Sequence, residues 1–360
     1  MSQTRESWPS VAKQNPHLPT AGAVGILSRE ITRKVLEGSD NQWWVAGIQR
    51  RPIQRIAMNT AARLESGDGV RPIALMLRLA RPRQWIKNAL VGAALVFSQR
   101  LFDPRDVLLT VVAFIAFCAL SSAGYVLNDI VDREADRLNP EKSDRPLARG
   151  DLTVAAALRM ALVLAAIAAL LSIALGWRFA GIALLYAALQ FAYSFWAKHH
   201  VVIDVIAVAL GFVLRAFAGG VAIHVEVSPW LVFITFVLAM FLVLARRRHE
   251  LIVLGDSATA HRGALAQYSV RLVDQMISIV AGATLVSYMI YTASAEVEAK
   301  LGTPHLYLTV PFVAFGILRY LYLIDERNEG GDPAQVLLQD RPLLIAVTLW
   351  ILTDIALLYF

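Results

Sequence analysis

From about residue 74 to its end the chain alternates between long apolar blocks and short polar loops, and the blocks have the length of membrane spans. Nine spans are expected, at about 84–101, 107–129, 153–175, 178–196, 202–221, 228–246, 270–293, 305–324 and 342–359. Several are near the shortest α-helix that crosses about 30 Å of hydrocarbon. Residues 1–72 follow another pattern: polar, mildly basic, with scattered Pro and Gly and short helical patches at 26–36 and 43–64. They read as a cytosolic extension, partly disordered or resting on anionic lipid through Trp43, Trp44, Arg50, Arg51 and Arg55. With no uninterrupted apolar h-region there, no secretory signal peptide is expected. Residues 73–360 then form the membrane domain, an all-α integral membrane bundle.

Composition agrees with this pattern. Hydrophobic residues make up 57% of the chain and charged residues 17%, where a soluble domain carries about a quarter charged. The mean hydropathy is +0.54. The net charge of +6 is assigned to loops facing an anionic leaflet and to anionic ligands, not to nucleic acid. Cys118 is the only cysteine and lies in an apolar block, which excludes disulfides and thiolate metal sites.

The loops give an orientation. One alternate set holds Arg133, Arg137, Lys142, Arg145 and Arg149, then Lys198, Arg246, Arg247, Arg248, Arg262, Arg327 and Arg341. The opposite set holds only Arg100, Arg105, Arg178 and Lys300. By the positive-inside rule the first set is cytoplasmic, with the N-terminus inside and Phe360 outside a cell (inner) membrane. His224, Glu226, Glu296, Glu298 and His305 fall outside and read as solvated. Asp354, inside the last span, is expected to bond a neighbouring helix or to sit nearer the outer interface.

Four cytoplasmic clusters carry candidate chemistry. Asn128, Asp132 and Asp136 recur at helical spacing with Asp129 beside them, and Lys142, Arg145 and Arg149 follow. Oxygen donors on one helix face next to a basic loop suit Mg²⁺ that arrives with its phosphate ligands. A second cluster precedes and opens the first span with Arg81, Pro82, Arg83, Gln84, Trp85, Ile86, Lys87 and Asn88, denser than an interfacial anchor requires. A third holds Tyr193, Lys198, His199, His200 and Asp204 and runs on to Arg215 within a span. Asp204 lies eleven residues before Arg215, three turns, and is expected on its face. Adjacent His199 and His200 diverge on a helix and read as interfacial contacts. The fourth, Arg246 to Glu250, ends span six. Spans two and six both end in charged extensions, which suggests two four-helix halves plus one helix, facing a cytoplasmic-side active-site cavity. The late loop with GGDP and QDRP reads as a structured turn.

NDIVDREADR, with Tyr193 and Lys198, resembles the UbiA-type intramembrane prenyltransferase superfamily, which shares the nine-span count. Its aromatic prenyltransferases carry a second Asp-rich motif after span six, where this chain has ARRRHEL. That departure, with RPRQWIKN, GFVLRAFAGG and GGDPAQVLLQDRPLL, is similar to the decaprenyl-phosphate phosphoribosyltransferase branch over residues 74–360. The resemblance implies an Mg²⁺-dependent transfer of 5-phosphoribosyl from phosphoribosyl diphosphate to a polyprenyl phosphate, for cell-wall arabinan synthesis. A prenyltransferase using a polyprenyl diphosphate donor is the runner-up, and a transporter of phosphorylated metabolites the third reading.

On this reading Asn128, Asp132 and Asp136, supported by Asp129, hold Mg²⁺ on the donor diphosphate. Lys142, Arg145, Lys198 and Arg247 take the remaining charge. Lys87, Arg83 or Arg215 hold the acceptor phosphate, and Asn88, Arg149, Tyr193, Asp204 and Glu250 complete the substrate site. The expected partners are the two substrates and the membrane. The sequence leaves homo-oligomer formation open.

Overall fold

The computed structural model describes residues 72–138, 142–254, 265–327 and 330–360. The two tail patches with their Trp and Arg residues, and Arg262, lie outside the described residues. Helix α1 spans Pro72–Ala80 and leads into a 3-10 helix, Pro82–Gly92, continued by α2 at Ala93–Phe97. Then follow α3 (Pro104–Val131), α4 (Arg133–Leu138), α5 (Pro146–Arg149), α6 (Val154–Ala174), α7 (Trp177–Phe195) and α8 (Ile203–Ala222). The second half comprises α9 (Pro229–Leu254), α10 (Val270–Thr292), α11 (Ala295–Leu301), α12 (Val310–Glu326), α13 (Pro333–Gln339) and α14 (Arg341–Tyr359).

Caps explain where many of these helices begin. Asp103, Thr153, Ser269, Asp332 and Asp340 each accept from a backbone N–H of the first turn, and Pro follows at N1 or N2 of α3, α13 and α14. GGDP and QDRP, read in the sequence as a structured turn, are the N-terminal caps of α13 and α14. Glycine is required in the first of them: a Cβ on Gly330 would lie 2.8 Å from the Ala245 carbonyl oxygen, so the loop can lie against α9.

Among the described residues eight helices are long and apolar enough to cross a membrane, one fewer than expected. The missing span is 84–101, which is replaced by the 3-10 helix and α2. A 3-10 helix rises about 2.0 Å per residue against about 1.5 Å for an α-helix, so these 11 and 5 residues still reach roughly 30 Å. The first element therefore covers the same depth with fewer residues. It begins after Arg81, whose φ of 54° is left-handed and unusual for a residue preceding proline.

Buried positions on α6 and α8 are small: Ala157, Ala161 and Ala168, then Ala209, Ala216, Ala218 and Gly219. Large apolar side chains such as Leu162, Leu170, Leu184, Ile279 and Leu318 point outward. Lipid solvates those faces, and close backbone approach between helices takes the place of a hydrophobic driving force. At Gly219 a Cβ would stand 2.0 Å from the Val91 carbonyl oxygen, so α8 lies directly on the 3-10 helix.

Polar groups tie the elements together. The Trp85 indole donates to Ser122 at 3.0 Å and Ser122 donates to the Ala80 carbonyl at 2.8 Å, so Trp85 joins two helices instead of only anchoring an interface. Asp354 is 1% exposed, and neither carboxylate oxygen has a hydrogen-bond partner among the described residues. The bond to a neighbouring helix expected for it is not made.

Candidate active site

The NDIVD segment closes α3, where Asp132 is the C-cap. Backbone bonds from Asp132 N to Asn128 O and from Asp136 N to Asp132 O, both 2.8 Å, carry the i→i+4 register through the junction. The spacing by four thus survives, but the four side chains divide into two sets. Asn128 and Asp132 line a cavity of about 720 Å³, with Asn128 Nδ2 donating to Asp132 at 2.9 Å. Asp129 and Asp136 are buried behind them. The Arg145 guanidinium donates to Asp129 at 3.0 Å and also to Asp136, and Arg81 holds Asp129 from the other side.

This pairing follows from burial. Two carboxylates out of water must be neutralised, and a guanidinium between them does so with fixed geometry. Burial still pushes the Asp136 carboxyl above its usual range, with Arg145 and Lys142 opposing. No group of three or more His, Cys, Asp or Glu side chains among the described residues is arranged around a metal position. The cavity-facing donors are one amide oxygen and one carboxylate. Such a set suits Mg²⁺, which keeps several waters and takes phosphate oxygens as further ligands.

The basic wall is built from several loops. Lys198, in the short 3-10 turn after α7, does not itself line the cavity; it is buried and donates to Asp132, which does, at 2.7 Å. That turn ends at Val202, whose φ of 69° is a rare conformation for a β-branched residue. Tyr268 braces it: the phenol accepts from Val202 N at 2.6 Å and donates to Asp204 at 2.9 Å. Burial and Asp204 raise the Tyr268 pKa, which keeps it a donor. Lys142 and Arg145 face the cavity from the loop before α5.

At the end of α9 the three arginines separate. Arg246 and Arg247 line the cavity, whereas Arg248 donates to Asp274, Asp325 and the Ile324 carbonyl and fastens α9 to α10 and α12. Arg247 is 3% exposed and bonds Asp204 at 2.7 Å, Tyr193 at 3.1 Å and Glu250. Asp204 therefore serves Arg247 and Tyr268. Arg215 lies three turns along α8 from Asp204, as the spacing implied, but the two do not pair, and the partners of Arg215 are neutral. Arg215 donates to Asn88 Oδ1 at 2.7 Å, the Gly211 carbonyl at 2.8 Å and the Tyr186 hydroxyl. An intramembrane guanidinium on the cavity wall is thus satisfied by an amide, a carbonyl and a phenol, with no carboxylate partner among the described residues.

Other expected positions lie away from the cavity. Arg83 is exposed on the 3-10 helix, while Arg81 and Lys87 line the cavity. Eclipsing at i and i+3 in a 3-10 helix puts Trp85, Asn88 and Val91 on one face, a register an α-helical reading misses. Arg149 pairs with Asp151 at 3.2 Å and does not line the cavity. His199 and His200 are exposed. Arg81 and Arg246 belong to the clusters marked in the sequence but were given no site role there, and Tyr125, Gln190 and Tyr320 were not singled out; all five are on the wall. For Arg81 a signal was present, since an Arg-Pro step between two helical runs marks a backbone break.

From the motif the cavity continues as an apolar channel past Leu231, Ile234, Tyr288, Tyr291 and Trp350 to Glu226 and Lys300 at the opposite end of the bundle. Residues 88–339 match the UbiA prenyltransferase family. The chain belongs to that family. The decaprenyl-phosphate phosphoribosyltransferase of Corynebacterium glutamicum is 33% identical over 294 residues, covering 79% of this chain and 86% of that protein. Its counterpart from Mycobacterium tuberculosis is 32% identical over 289 residues, covering 78% and 93%.

Among solved structures, a UbiA homologue from Archaeoglobus fulgidus bound to GPP and Mg²⁺ superimposes with a TM-score of 0.61. It is 20% identical and covers 79% of this chain and 100% of that one. The same homologue bound to Cd²⁺ gives 0.57. These likenesses show the fold. The chain is a multi-pass, all-α membrane enzyme of the UbiA family.

Proposed function

We propose that this UbiA-family enzyme transfers a 5-phosphoribosyl group from phosphoribosyl diphosphate to a polyprenyl phosphate at the cytoplasmic face of a cell membrane, releasing diphosphate. The observation that carries the proposal is the cation-rich end of α9. Arg246 and Arg247 line the same cavity as Asn128 and Asp132, where a prenyl diphosphate clamp would need a second set of carboxylates. One acidic wall and several basic ones suit a donor with phosphate at both ends. The phosphoribosyltransferase relatives support the same reading.

Asn128 and Asp132 would hold Mg²⁺, which when bound neutralises charge on a diphosphate leaving group. Asp129 and Asp136 keep Arg145 in place next to it. Lys198, Lys142 and Arg145 orient the diphosphate and take the charge it gains as the C1–oxygen bond breaks, the type of developing charge that preorganised donors stabilise best. Positive charge grows on the ribose ring, as in other glycosyl transfers. A phosphate oxygen of the lipid then bonds to C1. A phosphate monoester is mostly ionised at neutral pH, so no general base is needed to remove a proton. The apolar channel takes the isoprenoid chain, and the product would feed arabinan assembly.

Purified protein with Mg²⁺, labelled phosphoribosyl diphosphate and a polyprenyl phosphate tests this. Label is expected in the lipid fraction, and none after chelation of the metal. Transfer of prenyl from a polyprenyl diphosphate in place of ribosyl transfer would overturn the assignment.

A further inference from the structure

We propose that the phosphate of the lipid acceptor docks on Lys87, Arg246 and the Tyr320 hydroxyl, in the cavity that Asn128 and Asp132 also line. This rests on the phosphoribosyl-transfer reading above and assigns the acceptor end of that site.

Tyr320 is 4% exposed and lines the cavity, yet its hydroxyl has no hydrogen-bond partner among the described residues. Isosteric Phe would fill the same space without leaving a donor unmet, so the hydroxyl points to a ligand. Lys87 also lines the cavity and makes no hydrogen bond or ion pair with a described residue. Arg246 gives its Nε to Glu250 at 3.1 Å while its side chain remains 40% exposed. Lys87, Arg246 and Tyr320 all line this one cavity. The neighbouring Asp332 carboxylate is engaged by Gln84 Nε2 at 2.7 Å and the Ala334 N–H at 3.2 Å and does not line it.

The lipid substrate is favoured over the donor by what lies beneath this cluster. On α12, Val313, Gly316, Ile317 and Tyr320 recur at three- and four-residue spacing and all line the cavity. The hydroxyl therefore stands at the polar end of an apolar stripe, notched at Gly316, where a Cβ would touch Leu343 at 3.9 Å. A phosphate there lets its isoprenoid run down the stripe. A sugar diphosphate has nothing to place in it.

The test combines kinetics with direct binding. Tyr320→Phe should raise KM for polyprenyl phosphate about fivefold, and Arg246→Gln or Lys87→Gln about 10- to 100-fold. KM for phosphoribosyl diphosphate should stay within about twofold of wild type. In detergent, polyprenyl phosphate should raise the wild-type melting temperature more than the matching polyprenol does, and Tyr320→Phe should shrink that difference. A raised KM for phosphoribosyl diphosphate with an unchanged lipid KM would make this the donor's 5-phosphate site and overturn the proposal. Unchanged values for both would overturn it too. If the wild type transfers no label, the reaction assignment fails and the melting comparison alone decides the lipid site. A phosphate-dependent shift equal in wild type and Tyr320→Phe then overturns it.

Discussion

Lys198 holds Asp132 at 2.7 Å across 66 residues of chain, joining the turn after α7 to the end of α3. A buried lysine on the one acidic side chain that both lines the cavity and belongs to the NDIVD segment places opposite charges where a diphosphate and its metal would meet. Lys198→Met should lower kcat/KM for phosphoribosyl transfer by about 100-fold or more, the scale for losing one preorganised donor. Asp132→Asn should do the same, with little change in melting temperature because the Asp132 side chain is 27% exposed. Near-normal turnover in either variant would remove it from the reaction.

Tyr268 acts on the same turn from a distance. Its phenol satisfies Val202 N in a strained conformation and fixes Asp204. Such conformations cost about 1–3 kcal/mol and persist only when neighbours enforce them. Tyr268→Phe should therefore reduce kcat by loosening the Lys198 turn while leaving KM for the lipid unchanged. Steady-state kinetics with each substrate varied in turn would show this split. An unchanged kcat would confine Tyr268 to a structural part.

Arg247 and Asp204 form a nearly dry pair, with side chains 3% and 1% exposed. Removing one partner leaves a buried charge uncompensated, at a cost of about 3–5 kcal/mol. Arg247→Met should lower the melting temperature sharply. The double variant Arg247→Met with Asp204→Asn should recover much of that loss. Losses that simply add would mean the two residues do not act as a pair.

Asp340 links α12 to α14, accepting from Arg319 Nε at 3.2 Å, from its terminal nitrogen at 2.8 Å and from the Leu343 N–H at 2.9 Å. The Arg319 hydrogen bonds hold its carboxyl below the usual range. A depressed folded-state pKa contributes stability that is present above the unfolded value of about 3.9 and is lost as pH falls through the folded value. Melting temperature should thus decline on acidification below about pH 4, and Asp340→Asn should flatten that part of the profile. At pH 7 the variant should be less stable by about 1–3 kcal/mol. A profile of unchanged slope would assign the acid sensitivity to other carboxyls.

Gly219 and Gly92 make a matched comparison. A Cβ at Gly219 meets the Val91 carbonyl at 2.0 Å, whereas one at Gly92 meets nothing within 4 Å. Gly219→Ala should destabilise by about 1–3 kcal/mol through overpacking, and Gly92→Ala should be near neutral. Thermal unfolding of the two variants in one detergent would check the difference.

Much of this protein was legible in the sequence because its strongest signals are local. Hydropathy set the spans, since lipid admits only helices whose backbone is satisfied internally. Spacing by four carried Asn128, Asp132 and Asp136 through the α3–α4 junction in one i→i+4 register, and the replacement of a second acidic motif by ARRRHEL foretold a basic wall at Arg246 and Arg247. Which carboxylates face the cavity was beyond that reading. Asp129 and Asp136 turn to Arg145, and Asp204 turns to Arg247 and Tyr268 instead of Arg215, because buried charges take the nearest counter-charge that three-dimensional packing supplies. The 3-10 register that selects Lys87 and Asn88 and excludes Arg83 was equally hidden, as was the free hydroxyl of Tyr320, whose significance depends on which atoms of other helices do not reach it. Sequence determined the elements and the chemical types available; only the tertiary structure decided which charges cancel one another and which remain facing the cavity.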